Sequence, residues 1–211
     1  MQGPQLDAEQ ALARLRAGNL RFVDHVVSLE ALLSHARRDE HARAQRPFAV
    51  VLGCSDSRAP AEFVFDQGLG DLFVIRVAGN IVAPSQIGSV EFAVGRYGVQ
   101  LVVVMGHSRC GAILASLDEL TQPGGQQSRG LRDILDRVRP AVESFLDTDL
   151  RHDHEALVRG AVRANVRIAA SHLRHGSALL EKLVDDGKLL IVGAEYSLET
   201  GVVEFFDGVP G

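Results

Sequence analysis

Three short apolar runs punctuate the chain: Phe48–Gly53 (FAVVLG), Leu72–Val77 (LFVIRV) and Leu101–Gly106 (LVVVMG). Each is largely β-branched, and apolar positions fall on both alternating faces, the pattern of strands buried on both sides of a parallel sheet. Helix-compatible stretches, PAEFVFDQG (60–68) and SQIGSVEFAVGRYG (85–98), lie between them. A fourth strand is predicted in KLLIVGAEYS (188–197), after a long helical region from about His152 to Asp185. GVVEFF (201–206) predicts an edge strand, antiparallel through the turn at LETG. Strands alternating with helices give the fold class: α/β, with a mostly parallel central sheet flanked by helices and a possible antiparallel edge strand.

The segment before the first run has a different period. In DAEQALARLRAGNLRFV, Ala11, Leu12, Leu15, Leu20 and Phe22 approximate a helical stripe, with Asp7 and Glu9 suited to a first turn. A second, polar helix is predicted over Ser28 to Gln45, closed by Pro47. This makes residues 1–45 an N-terminal helical arm on a core of residues 46–211. LTQPGGQQSRG (120–130) reads as a surface loop, and one domain over 1–211 is the expectation.

Bulk properties narrow the function classes. The 211 residues suit one substantial domain, and 46% hydrophobic with 23% charged residues is an ordinary globular balance. The net charge of -5 carries no long run of one sign, so no nucleic-acid partner is expected. No apolar run approaches the roughly 20 residues that span a bilayer, and the polar start MQGPQLDAEQ has no secretory pattern. A soluble, cytoplasmic protein without a membrane partner is the expectation.

The candidate chemistry sits at two strand ends. The first run delivers Cys54, Asp56 and Arg58; the third delivers His107 and Cys110 in GHSRCGA. Ligands of open α/β sheets gather at the carboxyl ends of strands, so these groups converge if the two strands are neighbours. Two buried free thiols are the plain alternative, and a cytosolic setting disfavours a disulfide between them. Two thiolates and an imidazole suit zinc, and three protein ligands leave the fourth position of a catalytic site open. Asp56 then either closes the metal as a fourth ligand or accepts a hydrogen bond from its water, held by Arg58 in a bidentate pair.

CSDSR (54–58) with GHSRCG (106–111) resembles the β-class carbonic anhydrase family. Similarity extends to ALARLRAGNLRFV, FDQGLGDLFVIRVAGN, SVEFAV and LLIVGAEYSLETGVV, nearly the whole chain. The resemblance implies one zinc ion per subunit on Cys54, His107 and Cys110. It implies reversible hydration of carbon dioxide to bicarbonate and a proton by attack of zinc-bound hydroxide, with the Asp56–Arg58 pair orienting the zinc water. It implies substrate contacts from Gln45, Phe73, Ala78 and Gly111, Gln45 often acting across a subunit interface, and a homodimer or dimer of dimers. Departures exist. Phe92 stands where some relatives carry tyrosine. Val51 stands where relatives with an allosteric bicarbonate site carry tryptophan, although Arg76 and Tyr196 match that site's other side chains; no strong bicarbonate inhibition is expected. Seven further histidines, at 25, 35, 41, 152, 154, 172 and 175, lie in polar segments where solvent exposure is expected, and none is assigned as a proton shuttle. Two rivals stay open: a relative acting on carbon disulfide or carbonyl sulfide, and a structural or redox-sensing zinc protein with a closed four-ligand site.

Overall fold

A computed structural model describes residues 5–34, 42–122 and 127–210. Strand β1 (Ala49–Gly53) is buried along its length, as a run apolar on both faces requires. It pairs in parallel with β2 (Leu72–Arg76) on one side and β3 (Leu101–His107) on the other. β3 pairs in parallel with β4 (Leu190–Tyr196), and β5 (Val203–Asp207) closes the sheet antiparallel to β4. The order is β2-β1-β3-β4-β5, so the two strands that end in site residues are neighbours.

Alternate residues of the central strands feed two apolar layers. Ala49, Val51, Val103 and Met105 face one, with α1 (Ala8–Val23) and α3 (Ala61–Val64). Val50, Leu52, Val102 and Val104 face the other, with α4 (Pro84–Tyr97) and a long later helix. That helix is α7 (His154–His175); before it come α5 (Gly111–Thr121) and α6 (Arg129–Leu146), and after it α8 (Ala178–Asp185). The helical region predicted from His152 to Asp185 is therefore two helices. Ser177 breaks it by capping α8, its Oγ accepting from Leu180 N at 3.3 Å. α6 has no counterpart among the predicted elements. Only Leu135, Val138, Ala141 and Val142 are buried on it, a narrow stripe among Arg and Asp, and Pro140 lies inside it.

The N-terminal arm differs from its pattern in two places. Asp7 caps α1 as expected, accepting from Gln10 N at 2.8 Å. Its buried face is Ala11, Leu12, Leu15, Gly18 and Asn19, whereas Leu20 is 64% exposed. Asn19 replaces it inside because its amide ties three segments: Nδ2 donates to Val64 O and Gly201 O, and Oδ1 accepts from Val203 N. The second helix is observed as α2 (Leu29–Leu33), capped by Ser28. Its predicted middle falls on residues 35–41, outside the described ones, and residues 44–47 are not helical, so it does not reach Gln45. The proline at 47 disfavours helical backbone before it. No residue of α2 is buried. Val26, Val27, Leu29, Leu32, Phe63 and Leu69 are each at least half exposed and gather on this side of the chain. Several of them line a groove of about 660 Å³ together with Phe22 and Leu72. Among the described residues, no helix is long and apolar enough to cross a membrane.

Candidate metal centre

Parallel pairing sets Gly53 of β1 opposite Met105 of β3, so Cys54 leaves β1 beside the end of β3, where His107 is the last residue. A short turn through Arg109, at φ 54, brings the chain round to Cys110, the N-cap of α5. Cys54 Sγ, Cys110 Sγ and one ring nitrogen of His107 lie within 4.8 Å of one another, and all three residues are buried. A zinc ion with bonds of about 2.0–2.3 Å needs donors on the order of 3.5–4 Å apart, so the separation fits.

The histidine is prepared for this. Its Nδ1 lies 2.9 Å from Ser108 O, which fixes Nδ1 as the protonated nitrogen. Its Nε2 is buried without a hydrogen-bond partner. A bare buried acceptor is costly, and a metal ion would satisfy it. Ser108 is anchored in turn: its N–H donates to Tyr196 O at 2.9 Å and its Oγ to Glu199 Oε2 at 2.7 Å. Arg109 meets the same carboxylate at 2.8 Å.

The two sulfurs titrate as a pair. The hydrogen bond from Cys110 draws the Cys54 thiol down to about 4 against the opposing effect of burial, and the same bond with burial pushes the Cys110 thiol up. Burial lowers the His107 ring, but the neighbouring Cys54 sulfur outweighs it and the net shift is upward. A divalent cation would displace the protons held in this cluster.

Asp56 and Arg58 form the expected bidentate pair, with Arg58 N also donating to Asp56 Oδ1 at 3.0 Å. The guanidinium hydrogen bonds hold the Asp56 carboxyl well below the usual carboxylate range. Asp56 Oδ2 lies 3.8 Å from His107 Nε2, beside the donor cluster and outside the three-residue group. Arg76 pins the loop from behind, donating to Cys54 O at 3.0 Å and Asp56 O at 2.6 Å.

The other predicted residues divide. Gly111 begins α5, exposed, and a Cβ there would meet nothing within 4 Å. Its N–H belongs to the first helical turn, which has no intrahelical acceptor. Ala78 is half-buried in the turn after β2. Gln45 and Phe73 are not brought to the cluster. Gln45 Nε2 donates to Tyr97 OH at 2.8 Å, and Phe73 packs against Phe92 and Tyr97. Phe73 pairs with Val50, four positions before Cys54, or about 13 Å away along the strand. Val51 is fully buried in the core. Of the seven other histidines, those at 25, 152, 154, 172 and 175 are exposed, and His35 and His41 lie outside the described residues.

Two residues near the cluster were not predicted. Gly79 donates its N–H to Cys54 Sγ at 3.3 Å, and Asn165 donates to Gly79 O at 2.8 Å. The available signal was an amide side chain inside the apolar stripe Ala161, Val162, Val166, Ala169. Such a residue needs a buried partner.

Residues 49–203 match the family described as carbonic anhydrase. The chain is 36% identical over 212 residues to carbonic anhydrase 2 of Mycobacterium tuberculosis, covering 94% of this chain and 92% of that protein. It is 39% identical over 201 residues to a carbonic anhydrase of Mycolicibacterium smegmatis, covering 95% and 94%. Among solved structures, the β-carbonic anhydrase CafA of Aspergillus fumigatus superposes with a TM-score of 0.71 at 27% identity, covering 86% of both chains. A tetrameric β-carbonic anhydrase from Sordaria macrospora shares the fold, with a TM-score of 0.73 at 22% identity over 93% of this chain and 97% of that one.

Proposed function

The chain belongs to the β-carbonic anhydrase family, and from that premise we propose that it catalyses the reversible hydration of carbon dioxide to bicarbonate and a proton as a zinc enzyme. One observation carries the reading: two buried thiols and a bare imidazole nitrogen within 4.8 Å of one another, with a guanidinium-held carboxylate beside them.

Cys54 Sγ, Cys110 Sγ and His107 Nε2 would hold the zinc ion. Bound there, zinc supplies the Lewis acidity that activates water near neutral pH. The protein supplies orientation. Asp56 is kept ionised by Arg58, so it accepts a hydrogen bond rather than giving one, and it fixes the direction of the attacking water. Both carboxylate oxygens are engaged by Arg58, which favours this acceptor role over direct ligation. The Gly111 N–H, free of an intrahelical acceptor in the first turn of α5, can donate to the anionic oxygens of bicarbonate. Ala78 contributes a small apolar wall.

Gln45 and Phe73 fit the same reading only from a second copy of the chain, because their own Cys54 is remote. We therefore place them across a homodimer interface. The exposed apolar groove beside α2 supports association, since a contiguous patch of this kind on a free monomer is unusual. A dimer of dimers remains within the proposal. Free thiol ligands suit the reducing cytoplasm.

Stopped-flow carbon dioxide hydration, with zinc content measured on the same sample, tests the assignment. Hydration that scales with zinc occupancy is expected. A zinc-loaded protein inert toward carbon dioxide would refute it, and activity confined to carbon disulfide or carbonyl sulfide would redirect it.

A further inference from the structure

The turn after β2 has an unusual backbone. Gly79 has φ 69 and Asn80 has φ 43, two left-handed residues in succession, the second not a glycine. Such backbone persists where its surroundings over-determine it, and it clusters at functional sites. Three helices surround this turn. A Cβ on Gly79 would come within 2.9 Å of Ala112 Cβ in α5 and 3.2 Å of Val138 Cγ2 in α6. From α7, Asn165 donates Nδ2 to Gly79 O at 2.8 Å, and Asn165 is 2% exposed. Both polar groups of Gly79 are thereby used: the carbonyl on Asn165, the N–H on Cys54 Sγ at 3.3 Å.

Cys54 Sγ accepts a hydrogen bond from the Gly79 N–H, which is 25 residues away in the chain and has to be held in place. Packing alone would be served by an apolar residue at 165, since its neighbours on the buried face are Val and Ala. The amide is what singles it out.

We propose that Asn165 is a positioning residue for the metal centre: it holds the left-handed Gly79 turn so that the Gly79 N–H points at Cys54 Sγ. An N–H on a ligating sulfur draws electron density from the metal–sulfur bond and fixes the direction of the remaining lone pair. Outer partners of this kind orient ligands and tune the metal, and their loss costs about 10–100-fold in affinity or activity. Asn165 touches neither substrate nor metal and acts through Gly79. The inference rests on Cys54 being a metal ligand.

Cobalt(II) substitution tests both layers separately. In Asn165→Leu, the thiolate-to-cobalt charge-transfer band moves to lower energy, and cobalt(II) affinity in chelator competition falls about 10–100-fold. Leu173→Ala, buried on the same helix away from the cluster, lowers the melting temperature and leaves band and affinity unchanged. An unshifted band and unchanged affinity in Asn165→Leu overturn the proposal, as does the same shift in Leu173→Ala. Should Asn165→Leu fail to fold, the wild-type protein loaded with the spin-active cadmium isotope decides. A through-hydrogen-bond coupling from the metal to the Gly79 amide proton is expected, and its absence overturns the proposal. A wild-type protein that takes up cobalt(II) without thiolate bands overturns the metal reading itself, and the Asn165 proposal with it.

Discussion

Arg58 holds Asp56 at two points: Nε lies 2.9 Å from Oδ1 and Nη2 lies 2.7 Å from Oδ2. Neither oxygen is left free of the guanidinium, yet Oδ2 still faces His107 Nε2 at 3.8 Å. The carboxylate is a fixed acceptor at the rim of the donor cluster. Replacing Asp56 by Asn keeps the shape and removes the charge. Asp56→Asn is expected to retain zinc and to lose about 100-fold in kcat for carbon dioxide hydration. Zinc content and stopped-flow rates on one preparation check this; unimpaired turnover would remove Asp56 from the mechanism.

Cys54→Ser addresses the cluster itself. A hydroxyl binds zinc far more weakly than a thiolate, and two donors do not hold the ion. Metal content and hydration activity should fall together, toward background. Full zinc occupancy in this variant would mean that the ligand set has been misassigned.

Association is tested on the apolar side of the arm. Phe63 is 73% exposed and borders the groove beside α2. Phe63→Asp places a charge where a second copy would sit. Light scattering should report a monomer, and activity should fall at least about tenfold if donors from the second copy complete the site. An unaltered dimer with unaltered activity would place the interface elsewhere.

A pH-dependent stability term is built into β4 and β5. Arg163 meets Glu204 at 2.7 and 3.0 Å and Glu195 at 3.4 Å. Burial pushes Glu195 above its ordinary value of 4.5, opposed by Arg163, while Glu204 is lowered by its hydrogen bonds from Arg163. The other charged group facing Glu195 is Arg159. A raised folded-state value means that the folded chain holds this proton more tightly than the unfolded chain. The contribution of Glu195 is therefore full below pH 4.5 and is lost as pH rises through the raised value. Glu195→Gln should raise the melting temperature above neutrality, with the difference closing as pH falls. Calorimetry across that range checks it; an offset that does not vary with pH would contradict it.

The parts of the fold legible in the sequence are those with strong local periodicity. The runs FAVVLG, LFVIRV and LVVVMG became β1, β2 and β3 because parallel strands buried on both faces must be apolar throughout. Cys54, His107 and Cys110 were legible for the same reason, since each follows or ends such a run. α6 was not, because its apolar stripe is narrow and interrupted by charge and by Pro140. Leu20 and Asn19 exchanged places because three backbone partners from two distant segments outweigh one leucine on a helix face. Gln45 and Phe73 matched a family pattern in sequence, but a linear match carries no distance, and the fold sets them toward the other end of the sheet. Asn165 and Gly79 were illegible as a pair: 86 residues separate them, and nothing local links an amide on a helix to a turn after a strand.

The sheet order has a consequence for how the protein is made. β1 and β3 lie side by side, but β2 and α4 come between them along the chain. Cys54 therefore waits through more than 50 residues of synthesis before His107 and Cys110 exist, and longer still before α7 arrives to brace the turn beside it. A nascent chain offers metal ions one isolated thiol, then a scattered set, and a complete centre only when the middle of the sheet has closed. Under the proposed metal reading, loading would be a late event, following the meeting of the two central strands whose ends carry the donors.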